Sequence, residues 1–152
     1  MGTSILERIQ ADMVKAMKAK EAAALSTLRM LKAALMEAKT AKPKDATLSP
    51  EEEIEVLQRY VKKRRETIEI NTRAGRADLN PAEEAEIEVT RRYLPAALPE
   101  AELAELIRRA IETTGAAGPK DMGKVIGAVM TQVRGRAEGS VVSQRVRQAL
   151  GG

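Results

Sequence analysis

Apolar residues return every three or four positions along this chain, and strand-like alternation is absent. At about 100° per residue, such a pattern gathers its apolar members on one side of a helix, so surface is buried only by packing helices on helices. Ile5, Ile9, Met13 and Met17 follow Thr3 and Ser4, which can cap a helix start, and predict a first helix to about Lys20. Leu25, Leu28, Leu31 and Leu35 predict a second. Thr40 to Leu48 has no periodicity, contains Pro43 and is expected to be a mobile loop. Ser49, Pro50 and Glu52 then make a capping box with proline in the first turn. From there Ile54, Leu57, Val61, Arg64 and Ile68 carry a third helix toward Ala74, and Gly75 supplies its left-handed stop.

Asn80-Pro81-Ala82-Glu83 restarts a helix that continues through Ile87, Tyr93 and Leu94 to Pro95, with Glu83, Glu84, Glu86 and Glu88 near its positive end. Pro95 and Pro99 break helical continuity and mark the expected domain boundary. Three shorter helices are expected beyond it, at about Glu100 to Thr113, Lys120 to Val133 and Ser140 to Leu150. The expectation is an all-α protein, with an N-terminal domain of about four helices over residues 1–96 and a small three-helix domain over 97–152.

The chain has 152 residues, the size of one ordinary domain or two small helical ones. It has no Cys and no His, which removes thiol nucleophiles, disulfides, the usual zinc ligands and the commonest proton carrier near neutral pH. No catalytic residue, cofactor or metal is therefore expected. Without a signal pattern or an apolar run of eighteen residues, the chain reads as soluble and cytoplasmic, with no membrane partner. The formal charge of +4 is uneven: from Lys120 to Gly152 stand six basic and two acidic residues, and the rest of the chain is neutral. A basic module beside a neutral one suits a phosphate-facing end.

Within that module, Met122, Val125, Ile126, Val129 and Val133 fall on one side of a helix, while Lys120, Lys124 and Arg134 fall within about 80° on the other. Gly123 and Gly127 stand between, and their lack of a Cβ suggests close helix packing. Gly127 to Met130 and Gly135 to Ala137 resemble the end of the YqeY family and the related tail domain of GatB, the B subunit of the amidotransferase that acts on mischarged tRNA. Thr27 to Leu31, Ala74 to Leu79, Glu83 to Ile87 and Arg92 to Pro95 fall in that family's order and spacing. The chain departs from the family at Pro99, where Ser is usual, and at Glu138, where Asp is usual. The resemblance implies an all-helical protein whose C-terminal domain is similar to the GatB tail, and an association with tRNA-dependent amidotransfer. The GatB domain that carries the chemistry has no counterpart in this chain.

Among the other candidates, Lys62-Lys63-Arg64-Arg65 reads as a solvated face pairing with Glu66 and Glu69. Glu83, Glu84, Glu86 and Glu88 read as helix-start acids rather than metal ligands, and Arg76 with Asp78 as a locked corner. Met13, Met17, Met30, Met122 and Met130 read as core filler. Tyr60 and Tyr93 are the only aromatics, which argues against stacking single-stranded bases. The expected partner is structured RNA such as tRNA, contacted at phosphates by Lys120, Lys124, Arg134, Arg136, Arg145 and Arg147. The alternative is a helical adaptor that docks a protein partner and has no nucleic-acid role.

Overall fold

A computed structural model describes residues 2–151, and these form an all-helical protein. The seven helices among them are α1 Ile5–Lys18, α2 Ala22–Thr40, α3 Pro50–Arg73, α4 Asn80–Arg91, α5 Glu100–Thr114, α6 Met122–Val133 and α7 Gly139–Ala149. Short 3-10 turns, Ala77–Leu79 and Pro119–Asp121, lead into α4 and α6. The chain divides into two compact units, Met1–Leu94 and Pro95–Gly152.

In the first unit α1 packs on α2 and α3 on α4, with α2 also against α3 and α4. Ile9, Leu31, Leu35 and Leu57 are fully enclosed in its core. Ser49 forms the expected capping box with Glu52. The Lys42 ammonium lies 2.6 Å from the Glu52 carboxylate and donates to the Thr47 carbonyl at 3.1 Å, so the expected mobile loop is tied at its base to the start of α3. The hydrogen bond from Lys42, helped by the Ser49 amide, holds the Glu52 carboxyl at about 2, against an ordinary 4.5. Because the folded form holds this proton less tightly, the contribution is present above 4.5 and is lost as pH falls toward 2. Lys42→Met should move the Glu52 titration, followed by NMR, back toward 4.5.

Gly75 closes α3 at φ 71°, with the Arg76 amide reaching the Asn71 carbonyl, as its position after the stripe predicts. The same motif ends α1, but there Lys20 takes the left-handed place at φ 58° and the Glu21 amide reaches the Ala16 carbonyl. Arg76 Nε and Nη2 each lie 3.1 Å from Asp78, locking the expected corner.

Two members of the basic run of α3, Arg64 and Arg65, meet carboxylates of the next helix. Arg64 Nε meets Glu83 at 3.0 Å, its Nη1 lies 3.6 Å from Glu86, and Arg65 meets Glu84 at 3.0 Å. Both tyrosines are buried. The Tyr60 hydroxyl donates to Glu86 under the Arg64 guanidinium, and the Tyr93 hydroxyl donates to Asp12 with Arg8 above its ring. Met13 packs against this core, whereas Met17 and Met30 are 58% and 52% exposed and are not the filler their spacing suggested.

In the second unit α6 packs on α5 and α7. Val125, Val129 and Val133 of α6 are fully enclosed with Val142 and Val146 of α7, against Leu103 and Ile107 of α5. Pro99 and Glu138, the two departures from the family pattern, stand at the N-caps of α5 and α7, and neither provides a side-chain cap.

Candidate nucleic-acid interface

The outward side of α6 follows from its inward one. Valines at 125, 129 and 133 fix the buried direction, and a residue two positions from a valine lies about 200° away. Gly127 and Thr131 therefore run along the opposite side, with Lys124 beside them about 140° from the mean direction of the valines, and all three are exposed. Lys120 joins them from the 3-10 turn, where Asp121 steadies the entry by accepting the Ala117 amide at 3.0 Å. Arg134 joins from the C-cap, in left-handed backbone at φ 44°, followed by Gly135 at φ 84°. A non-glycine residue held there costs roughly 1–2 kcal/mol relative to its right-handed conformation. Lys120, Lys124 and Arg134 are exposed and form no ion pair with any described residue.

The other three candidates divide differently. Arg136 donates through Nε to the Ala96 carbonyl at 3.0 Å, while its own carbonyl accepts the Leu98 amide at 2.8 Å. It thus fastens the segment entering α5 to the loop between α6 and α7. Arg145 is ion-paired with Glu100. Arg147, two positions on, projects about 200° away from Arg145 around α7 and is exposed. The sequence assigned all six one task. Two of them have structural partners, which one-dimensional charge counting cannot reveal.

The helix-packing role expected for Gly123 and Gly127 is not what the structure shows. A Cβ at either position meets no heavy atom within 4 Å. The physical reason is the register above: both glycines stand away from the valines, in open space. Gly127→Leu should consequently raise the melting temperature of this unit, gaining up to about 1 kcal/mol of helix propensity, rather than overpack it. Thermal unfolding followed by circular dichroism checks the sign. What the glycines do provide is two positions with no side chain above the backbone, on the side of α6 that also carries Lys124 and Thr131 and ends at Arg134.

The fold and this surface define a class: an all-helical protein whose small C-terminal unit presents a basic helix face. No helix among the described residues is long and apolar enough to cross a membrane. The profile of the family described as Yqey-like protein matches residues 6–150. The chain is also 34% identical over 154 residues to altered inheritance of mitochondria protein 41, mitochondrial, of Pyrenophora tritici-repentis (strain Pt-1C-BFP), in a match covering 97% of this chain and 81% of that protein. The chain belongs to the YqeY-like family.

Proposed function

We propose that this protein binds structured RNA of the tRNA type through its C-terminal unit and acts without catalytic machinery of its own, as an accessory to tRNA-dependent amidotransfer in the cytoplasm. The observation that carries the reading is the exposed, unpaired set Lys120, Lys124 and Arg134 on a helix face left bare at Gly123 and Gly127. Phosphates meet such a face without needing aromatic platforms, and Tyr60 and Tyr93 are buried elsewhere. The resemblance of Gly127 to Met130 and Gly135 to Ala137 to the GatB tail supports tRNA as the RNA and amidotransfer as the setting.

Each phosphate neutralised releases counterions, so the logarithm of the binding constant falls with the logarithm of salt by roughly 0.7–0.9 per contact. Lys120→Ala, Lys124→Ala and Arg134→Ala combined should flatten the slope for folded tRNA by about 2–3, whereas removing the paired Arg145 should change it little. Gly127→Leu should weaken RNA binding while the unit stays folded. Absence of wild-type binding at low salt, or identical slopes for wild type and triple variant, would replace this reading with that of a helical adaptor for a protein partner.

A further inference from the structure

A second site lies in the N-terminal unit, where the end of α1, the start of α2 and the segment after α4 surround a hollow of about 260 Å³. Its floor is apolar: Ala16, Ala19, Ala24 and Leu28 leave space that larger side chains would fill. Its walls carry two cations, Lys15 and Arg92, and two anions, Asp12 and Glu21. No ion pair joins any of these four, and Lys15, Glu21 and Arg92 are exposed, so both signs of charge stand open to a ligand entering from solvent. Asp12 is positioned by the buried Tyr93, whose hydroxyl takes one carboxylate oxygen and leaves the other without a partner. Tyr93 is itself fixed, with Arg8 stacked 5.1 Å from its ring centre and bonded to the Arg92 carbonyl at 3.2 Å. Glu21 starts α2 without any side-chain cap on the helix amides, which adds partial positive charge at the same wall.

From this arrangement we infer that the hollow binds a small zwitterion, a free α-amino acid with an apolar side chain. The ammonium group pairs with the free oxygen of Asp12 and with Glu21. The carboxylate pairs with Lys15 and Arg92, and the side chain covers the alanine floor. Such a ligand satisfies both signs of charge at once, which a simple anion or cation does not.

The test uses the full chain, labelled with nitrogen-15, and L-leucine as the probe. Amide shifts of Ala16, Ala19 and Ala24 should saturate with a Kd in the millimolar range, as suits about ten heavy atoms in an open hollow. Isopentylamine, which lacks the carboxylate, and 4-methylpentanoate, which lacks the ammonium, should each bind about tenfold more weakly or worse. Asp12→Asn keeps an oxygen to accept the Tyr93 hydroxyl and should cost leucine about tenfold, and Ala24→Leu should abolish binding by filling the floor. If either variant fails to fold, the comparison of the three probes on the wild type decides. No shift at about 50 mM leucine, or equal binding of leucine and 4-methylpentanoate, overturns the inference. Leucine binding unchanged in both folded variants also overturns it.

Discussion

Glu53→Ala should lower the melting temperature of the N-terminal unit by roughly 10–20 °C, the effect of losing about 2–4 kcal/mol in a domain of this size. Glu53 belongs to α3 but acts on α1. Its carboxylate is 4% exposed, and its two oxygens accept the Ile5 amide at 3.1 Å and the Leu6 amide at 2.9 Å. Ser4 takes the next amide, that of Glu7, at 3.1 Å. Those are the amides that an α-helix cannot satisfy internally, and a negative charge at that end also meets the positive pole of the helix. Alanine would leave two donors without an acceptor, one of them buried, and detach the start of α1 from α3. Glu53→Gln separates the terms, since one amide still finds an oxygen while the other faces an NH₂ group, so its loss should fall short of alanine's but stay well above 1 kcal/mol. The exposed neighbour Glu51→Ala should stay within about 0.5 kcal/mol, which makes it the control. Equal melting temperatures for Glu51→Ala and Glu53→Ala would show that the carboxylate contributes no cap.

Features that act within one helix were legible in the sequence, and features that join helices were not. The capping box at Ser49, the glycine stop at Gly75, the Arg76–Asp78 corner and the valine stripe of α6 each depend on residues a few positions apart, and each stands where the pattern put it. Glu53 was hidden among Glu51, Glu52 and Glu55 as one more first-turn acid. A signal was present, since Glu53 precedes Val56, Leu57 and Tyr60 by three, four and seven positions and so shares their buried side. Its partners, about 48 residues upstream, gave no such signal. The ion pairs of Arg64 and Arg65 with α4, and the bond from Arg136 to the Ala96 carbonyl, are invisible for the same reason. For the candidate interface, the sequence supplied the charges and the register of α6. It could not say that the glycines stand open, because a bare helix face and a close-packed one need the same residue.

Val129→Asp should unfold the C-terminal unit altogether while the N-terminal unit keeps its own melting transition. Val129 is fully enclosed among Val125, Val133, Val142 and Val146, with no polar side chain among the buried members of that cluster to receive a carboxylate. A carboxylate placed there must either stay charged without a partner or take up a proton, and either course costs several kcal/mol. A single core in a unit of under about 70 residues rarely supplies more than 3–5 kcal/mol, so the penalty is comparable to all the stability the unit has. The N-terminal unit has a separate core that shares no residue with this one, from Ile9 and Leu31 to Leu57 and Tyr93, and the substitution removes nothing from it. Circular dichroism should therefore show lost helix in the variant before heating. Amide spectra should lose dispersion only for residues beyond Pro95. A global collapse of both sets of signals would mean that the two cores fold as one cooperative system, and an intact C-terminal spectrum would mean that the valine core tolerates a charge.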